Sequence, residues 1–116
     1  LVLRKEASMA LLKFSNRNGF PNIEATSVTS DGTNTTVSFN AHNGSRNFFG
    51  GFWVKIPQTV TTSTEPLYFT TTGVSGSTVP VYLSSGAQAT AANIVTTGGS
   101  VFLCFYDLDN NRVTLI

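Results

Sequence analysis

No apolar run in this 116-residue chain outlasts a single strand, and each ends in residues that turn the backbone. Asp31-Gly32-Thr33-Asn34, His42-Asn43-Gly44-Ser45, Pro57, Ser84-Ser85-Gly86, Thr96-Thr97-Gly98-Gly99 and Asp107 with Asn110-Asn111 break it repeatedly. Intervals of about 8 to 12 residues between breaks leave room for strands and turns but not for long helices. The residue types between the breaks agree. Seventeen Thr and thirteen aromatics favour pleated strands, while twelve Ser, ten Asn and ten Gly favour turns. The spacing therefore predicts an all-β fold, a β-sandwich or jelly roll of about seven to eight short antiparallel strands.

Within that frame the strands can be placed. Residues 23–30 and 35–41 flank the 31–34 turn as a hairpin, with Val37, Phe39 and Ala41 on one face and Thr36, Ser38 and Asn40 on the other. Residues 52–56 form a further strand in which Phe52 and Val54 face opposite to Trp53 and Lys55; Gly50-Gly51 before it predicts a bulge or close backbone approach. Residues 67–70 and 78–83 follow, and Pro80 places the second at a sheet edge because it lacks an N–H to donate. Residues 87–95 form a short, small-residued segment, and 101–106 pair with 113–116 as a terminal hairpin.

The first residues differ in character. Met9-Ala10-Leu11-Leu12-Lys13-Phe14 reads as a translation start, which makes residues 1–8 an upstream extension, a processed arm or a remnant of expression. Residues 1–20 are assigned to an N-terminal attachment arm and residues 21–116 to a single β-sandwich domain. Residues 1–12 lack both the long apolar core and the small-residue cleavage site of a secretory signal, and no stretch of about 20 apolar residues is present to span a membrane as a helix.

Charge and cysteine content narrow the function classes. From residue 9 onward five basic groups (Lys13, Arg17, Arg46, Lys55, Arg112) balance five acidic ones (Glu24, Asp31, Glu65, Asp107, Asp109), and the basic groups are scattered singly. A nucleic-acid partner is not expected, because phosphate neutralisation needs a clustered basic stripe. Cys104 is the only cysteine, so no intrachain disulfide framework exists; inside Val101-Phe102-Leu103-Cys104-Phe105-Tyr106 it reads as a buried small hydrophobe.

Catalytic chemistry is thinly supplied. His42 is the one histidine and sits in turn chemistry, no G-x-S-x-G elbow occurs, and the carboxylates show no paired spacing. Asp107, Asp109 and Asn111 have the D-x-D-x-N spacing of a calcium loop, but Arg112 stands where such a loop needs glycine, so a polar turn closing a hairpin is the expectation. No enzyme activity, cofactor or metal ion is expected. Phe48, Phe49, Phe52 and Trp53 form either core and subunit interface or a platform on which a sugar stacks.

Val79-Pro80-Val81-Tyr82-Leu83, Gly86, Thr90-Ala91-Ala92-Asn93-Ile94, Gly98-Gly99 and the run from Val101 to Tyr106-Asp107 resemble a segment of bacteriophage virion proteins, the head-fibre, decoration and tail-fibre chains. The likeness covers about residues 78 to 116, roughly a third of the chain. It implies a non-enzymatic, often trimeric component on the surface of a phage particle, a capsid decoration or head-fibre protein. The implied partners are other virion proteins, the major capsid protein first. Thirteen aromatics exceed what the inner strand faces hold. Association is therefore expected, and the threefold symmetry that the resemblance implies makes it a homotrimer, or a monomer that trimerises on its particle, with Leu11, Leu12, Phe14, Phe20 and Trp53 as contact residues. The alternative is a carbohydrate-binding adhesion module of a tail fibre or bacterial surface protein, with Trp53 as the stacking residue.

Overall fold

The computed structural model describes residues 16–17, 20–40, 50–61, 63–107 and 109–116, with backbone alone at 16, 17, 20, 21 and 50. Alternation of apolar and small polar residues produces nine strands among them: β1 (Asn16–Arg17), β2 (Phe20–Glu24), β3 (Ser27–Ser30), β4 (Thr35–Asn40), β5 (Gly50–Ile56), β6 (Leu67–Thr72), β7 (Val79–Leu83), β8 (Ser100–Asp107) and β9 (Arg112–Leu115). They form one mixed sheet in the order β1-β2-β5-β8-β9-β7-β6-β4-β3. The protein is all-β, as its turn spacing predicts. The pairings β2–β5, β4–β6 and β7–β9 are parallel, which a hairpin-by-hairpin reading does not foresee. Parallel neighbours need crossover connections, and here each contains other strands: β3 and β4 between β2 and β5, β5 between β4 and β6, and β8 between β7 and β9.

The sheet curls because one stretch of chain belongs to both of its ends. Residues 20–30 are expected to contain one strand from residue 23; instead they bend at Ala25 and Thr26. The Ala25 N–H donates to the Lys55 carbonyl at 2.9 Å, while the next N–H, of Thr26, donates to the Ser38 carbonyl at 2.8 Å. Successive amides of an extended chain point to opposite sides, so this corner joins β5 at one end of the sheet to β4 at the other. Beyond the bend β3 has left β5, and a side chain replaces the missing strand. The Val28 N–H donates to Gln58 Oε1 at 3.0 Å, and Gln58 Nε2 donates back to the Val28 carbonyl at 2.9 Å.

Curling gives the sheet an inside. Val37, Phe52, Val54, Ile56, Leu67, Phe69, Val79, Val81, Cys104, Val113 and Leu115 alternate inward from six strands and are buried. Phe39 meets Phe69 edge to face at 5.2 Å between centroids. Val60, Ala89 and Ile94, contributed by the two connections 57–66 and 84–99, complete the same cluster. Those connections brace each other through paired hydrogen bonds between Val60 and Thr96, at 2.8 and 3.1 Å. Each fully buried Val, Leu or Ile contributes about 1.5 to 3 kcal/mol. The segment 87–95 holds one short 3-10 turn, Ala91–Ile94, with the Thr90 N–H donating to Asn93 Oδ1 at 2.8 Å.

Both predicted hairpins form. In the first, Asp31 Oδ1 accepts the N–H groups of Thr33 and Asn34 at 2.8 and 2.7 Å, and Gly32 takes φ +87°, a conformation that suits glycine. The terminal hairpin pairs β8 with β9. Two local expectations are corrected. Gly50 and Gly51 lie in a regular ladder opposite Tyr106 and Phe105, not in a bulge. Strand β7 is internal, between β6 and β9, and not at an edge. Pro80 is tolerated there because pairing with β9 begins only at Val81, so its missing N–H breaks no bond of that ladder. The sheet also reaches into the stretch assigned to the arm, since Asn16–Arg17 pair with Phe20 and Pro21.

Candidate functional site

Of the five residues predicted to meet a neighbouring subunit, Trp53 is placed with its side chain: it lies on the outer face of β5, half-buried, opposite to the buried Phe52 and Val54. Phe20 opens β2 inside the sheet. Leu11, Leu12 and Phe14 fall outside the described residues, as do His42, Phe48 and Phe49. The five are therefore not shown as one cluster.

What Trp53 does join is a row across four strands. It pairs with Asn22 of β2 on one side and with Leu103 of β8 on the other. The Ile116 N–H donates to the Leu103 carbonyl at 2.9 Å, which carries the row past the end of β9. Directly paired residues share a face, so Trp53, Leu103 and Ile116 stand side by side on the outside of the sheet. Ile116 is 62% exposed, and Leu103 and Trp53 are half-buried. Val101 and Phe105, also half-buried, flank Leu103 on the same face. Period-two alternation made this row legible strand by strand; Ile116 and Leu103 were missed as partners because their alignment is a matter of register.

At the far side of this face the row Phe105, Thr114 and Tyr82 runs across β8, β9 and β7. The Arg112 guanidinium stacks over the Tyr82 ring at 4.4 Å. Nearby, the D-x-D-x-N stretch is engaged in its own turn: Asp107 Oδ2 accepts Asn110 Nδ2 at 2.7 Å, Tyr106 donates its hydroxyl to Asn111 Oδ1 at 2.7 Å, and Asn111 takes φ 50°. The side-chain hydrogen bond from Asn110, reinforced by Arg112, holds the Asp107 carboxyl below its ordinary range. Among the described residues no three His, Cys, Asp or Glu side chains gather as metal ligands would. Cys104 is fully buried, and desolvation pushes its thiol up to about 12.

A second place was not visible in the sequence. Glu65 lies in the 57–66 connection, and its carboxylate reaches the mouth of the β3–β4 hairpin, where Oε1 accepts the Ser30 hydroxyl at 2.6 Å and the Thr35 hydroxyl at 2.8 Å. Its own backbone is fixed on both sides: the Glu65 N–H donates to Ser63 Oγ at 3.1 Å, and the Ala91 N–H donates to the Glu65 carbonyl at 3.0 Å. The carboxylate lines a cleft of about 210 Å³, open to solvent, with Val28, Gln58 and Ser63 among its other walls. Its hydroxyl partners are 35 and 30 residues away along the chain, beyond the reach of any motif.

No protein-family description, curated protein or solved structure matches the chain.

Proposed function

We propose that this protein is a non-enzymatic structural part of a bacteriophage particle, a capsid decoration or head-fibre module, which docks on other virion subunits through the outer face of β5, β8 and β9. The observation that carries the reading is the row Trp53–Leu103–Ile116, where apolar side chains stand together on a solvent-facing sheet surface. Apolar groups grouped in this way mark contact surfaces more often than isolated ones do. The resemblance of residues 78–116 to virion chains supplies the setting, and Leu103 of the row lies in β8, one of the strands that carry it. The major capsid protein is the first partner to consider, with the module on the particle surface as a homotrimer.

The test is incorporation. Mass spectrometry of particles purified from cells that express the protein together with its phage should find it at a fixed ratio to the capsid protein. The Leu103→Glu variant, which puts a charge in the middle of the row, should fold but be missing from the particles. Absence of the unmodified protein from the particles overturns the reading.

The carbohydrate-binding alternative rests on a different detail, the pairing of Trp53 with Asn22, which sets an aromatic ring beside an amide on one face. A glycan array screened with the native protein and with Trp53→Ala separates the two, since binding lost in a folded Trp53→Ala chain favours the sugar.

A further inference from the structure

We propose that the cleft at Glu65 seats a cationic side chain, the ammonium of a lysine or the guanidinium of an arginine, presented by the protein on which this module docks. The docking reading above names only the carrier of that cation; the chemistry of the cleft stands on its own geometry. Three observations lead there.

The carboxylate is held in place by hydroxyls and, among the described residues, is not neutralised. Two hydroxyls, from Ser30 and Thr35, both donate to Oε1, and two backbone hydrogen bonds anchor the residue on either side. Among the described residues no lysine, arginine or histidine forms an ion pair with it. A half-buried carboxylate fixed in this way has a defined direction, and among the described residues Oε2 is left to accept.

Several donors of the cleft are already engaged. Ser30 and Thr35 direct their protons to Glu65, and the Gln58 amide donates to Val28 and accepts from it. What these groups still offer a visitor is mainly lone pairs. An acceptor-rich, negatively charged lining matches a ligand that only donates; ammonium carries three donors and guanidinium five, and neither has an acceptor. An anion is repelled by the carboxylate, and the Thr29, Thr61 and Ser63 hydroxyls on the same lining can also accept from a cation. The space is also adequate, since about 210 Å³ far exceeds the roughly 10 to 15 Å³ one water needs.

Titration of the isotopically labelled full chain with butylammonium chloride at low ionic strength tests this, read by amide NMR shifts. Saturable shifts should appear at Ser30, Thr35, Ser63 and Glu65. Glu65→Gln keeps an oxygen to accept from Ser30 and Thr35 but removes the charge, and should weaken binding by about tenfold or more, equivalent to about 1.4 kcal/mol. Butanol, the same stem without the charge, should produce no saturable shift on the unmodified chain. Equal binding by Glu65→Gln, equal shifts with butanol, or no saturation with butylammonium each overturn the proposal; the butanol arm decides even if Glu65→Gln fails to fold. Saturable shifts at the same amides with glycerol or glucose alone also overturn it and assign the cleft to a hydroxylated ligand. No particle is needed, so this outcome and that of the incorporation experiment are independent.

Discussion

Cys104 meets Phe52 and Leu115 across the sheet and has no exposed surface, so the bland expectation for a lone thiol in an apolar strand holds. The thiolate is the reactive form, and burial pushes the thiol up to about 12 from an ordinary 9.0. A thiol reagent should leave the native chain unmodified and label it stoichiometrically once denaturant unfolds it; fast labelling of folded protein would contradict the burial. The linkage has a sign. A folded value raised above the unfolded one contributes stability in full below pH 9, and that contribution fades as pH rises toward 12. The two turn aspartates act in the opposite sense. Backbone N–H groups of Asn34 and Thr33 lower Asp31, and Asn110 lowers Asp107, both from an ordinary 3.8. Their stabilisation is present above 3.8 and is lost as pH falls through the lowered folded values. Acid unfolding of the double variant Asp31→Asn, Asp107→Asn should therefore depend less on pH below that point, as followed by circular dichroism.

At the scale of elements, the seam between β3 and β5 is the most exposed to a single substitution, because one side-chain amide performs the pairing of a strand there. Gln58→Leu removes both partners of Val28 and leaves an N–H and a carbonyl half-buried without bonds, which costs about 1 to 3 kcal/mol. Denaturant titration should show that loss, and hydrogen exchange should rise at Val28 before the inner strands respond. An unchanged Val28 exchange rate would show that water replaces the amide at no cost. Gly98 marks another close approach: with φ +110°, a Cβ placed on it would lie 3.1 Å from the Pro57 carbonyl oxygen, so the loop after the 3-10 turn depends on glycine.

Among the described residues, apolar side chains gather on the outer face of β5 and β8. The expectation of more aromatics than the inner faces hold finds Trp53 and Phe105 outside, with Leu103 and Ile116 beside Trp53. If that face joins copies of the chain, light scattering at micromolar concentration should give three times the 12.4 kDa chain mass, and Leu103→Glu should return it to one. A monomer in both cases would reserve the face for a different partner.

Turn residues and period-two alternation act locally, which is why they determined the β class, the 31–34 hairpin, the terminal hairpin and the inward–outward assignment of Phe52, Trp53 and Val54 from sequence alone. The physics involved, φ preference at Gly32 and side-chain alternation along β5, needs no knowledge of distant neighbours. Strand order does need it. The corner at Ala25–Thr26, the parallel pairings, the internal place of β7 despite Pro80 and the substitution of Gln58 for a strand all depend on which segments the hydrophobic core draws together. The Glu65 cleft belongs to the same class, because its carboxylate and its hydroxyl partners become neighbours only when the sheet curls.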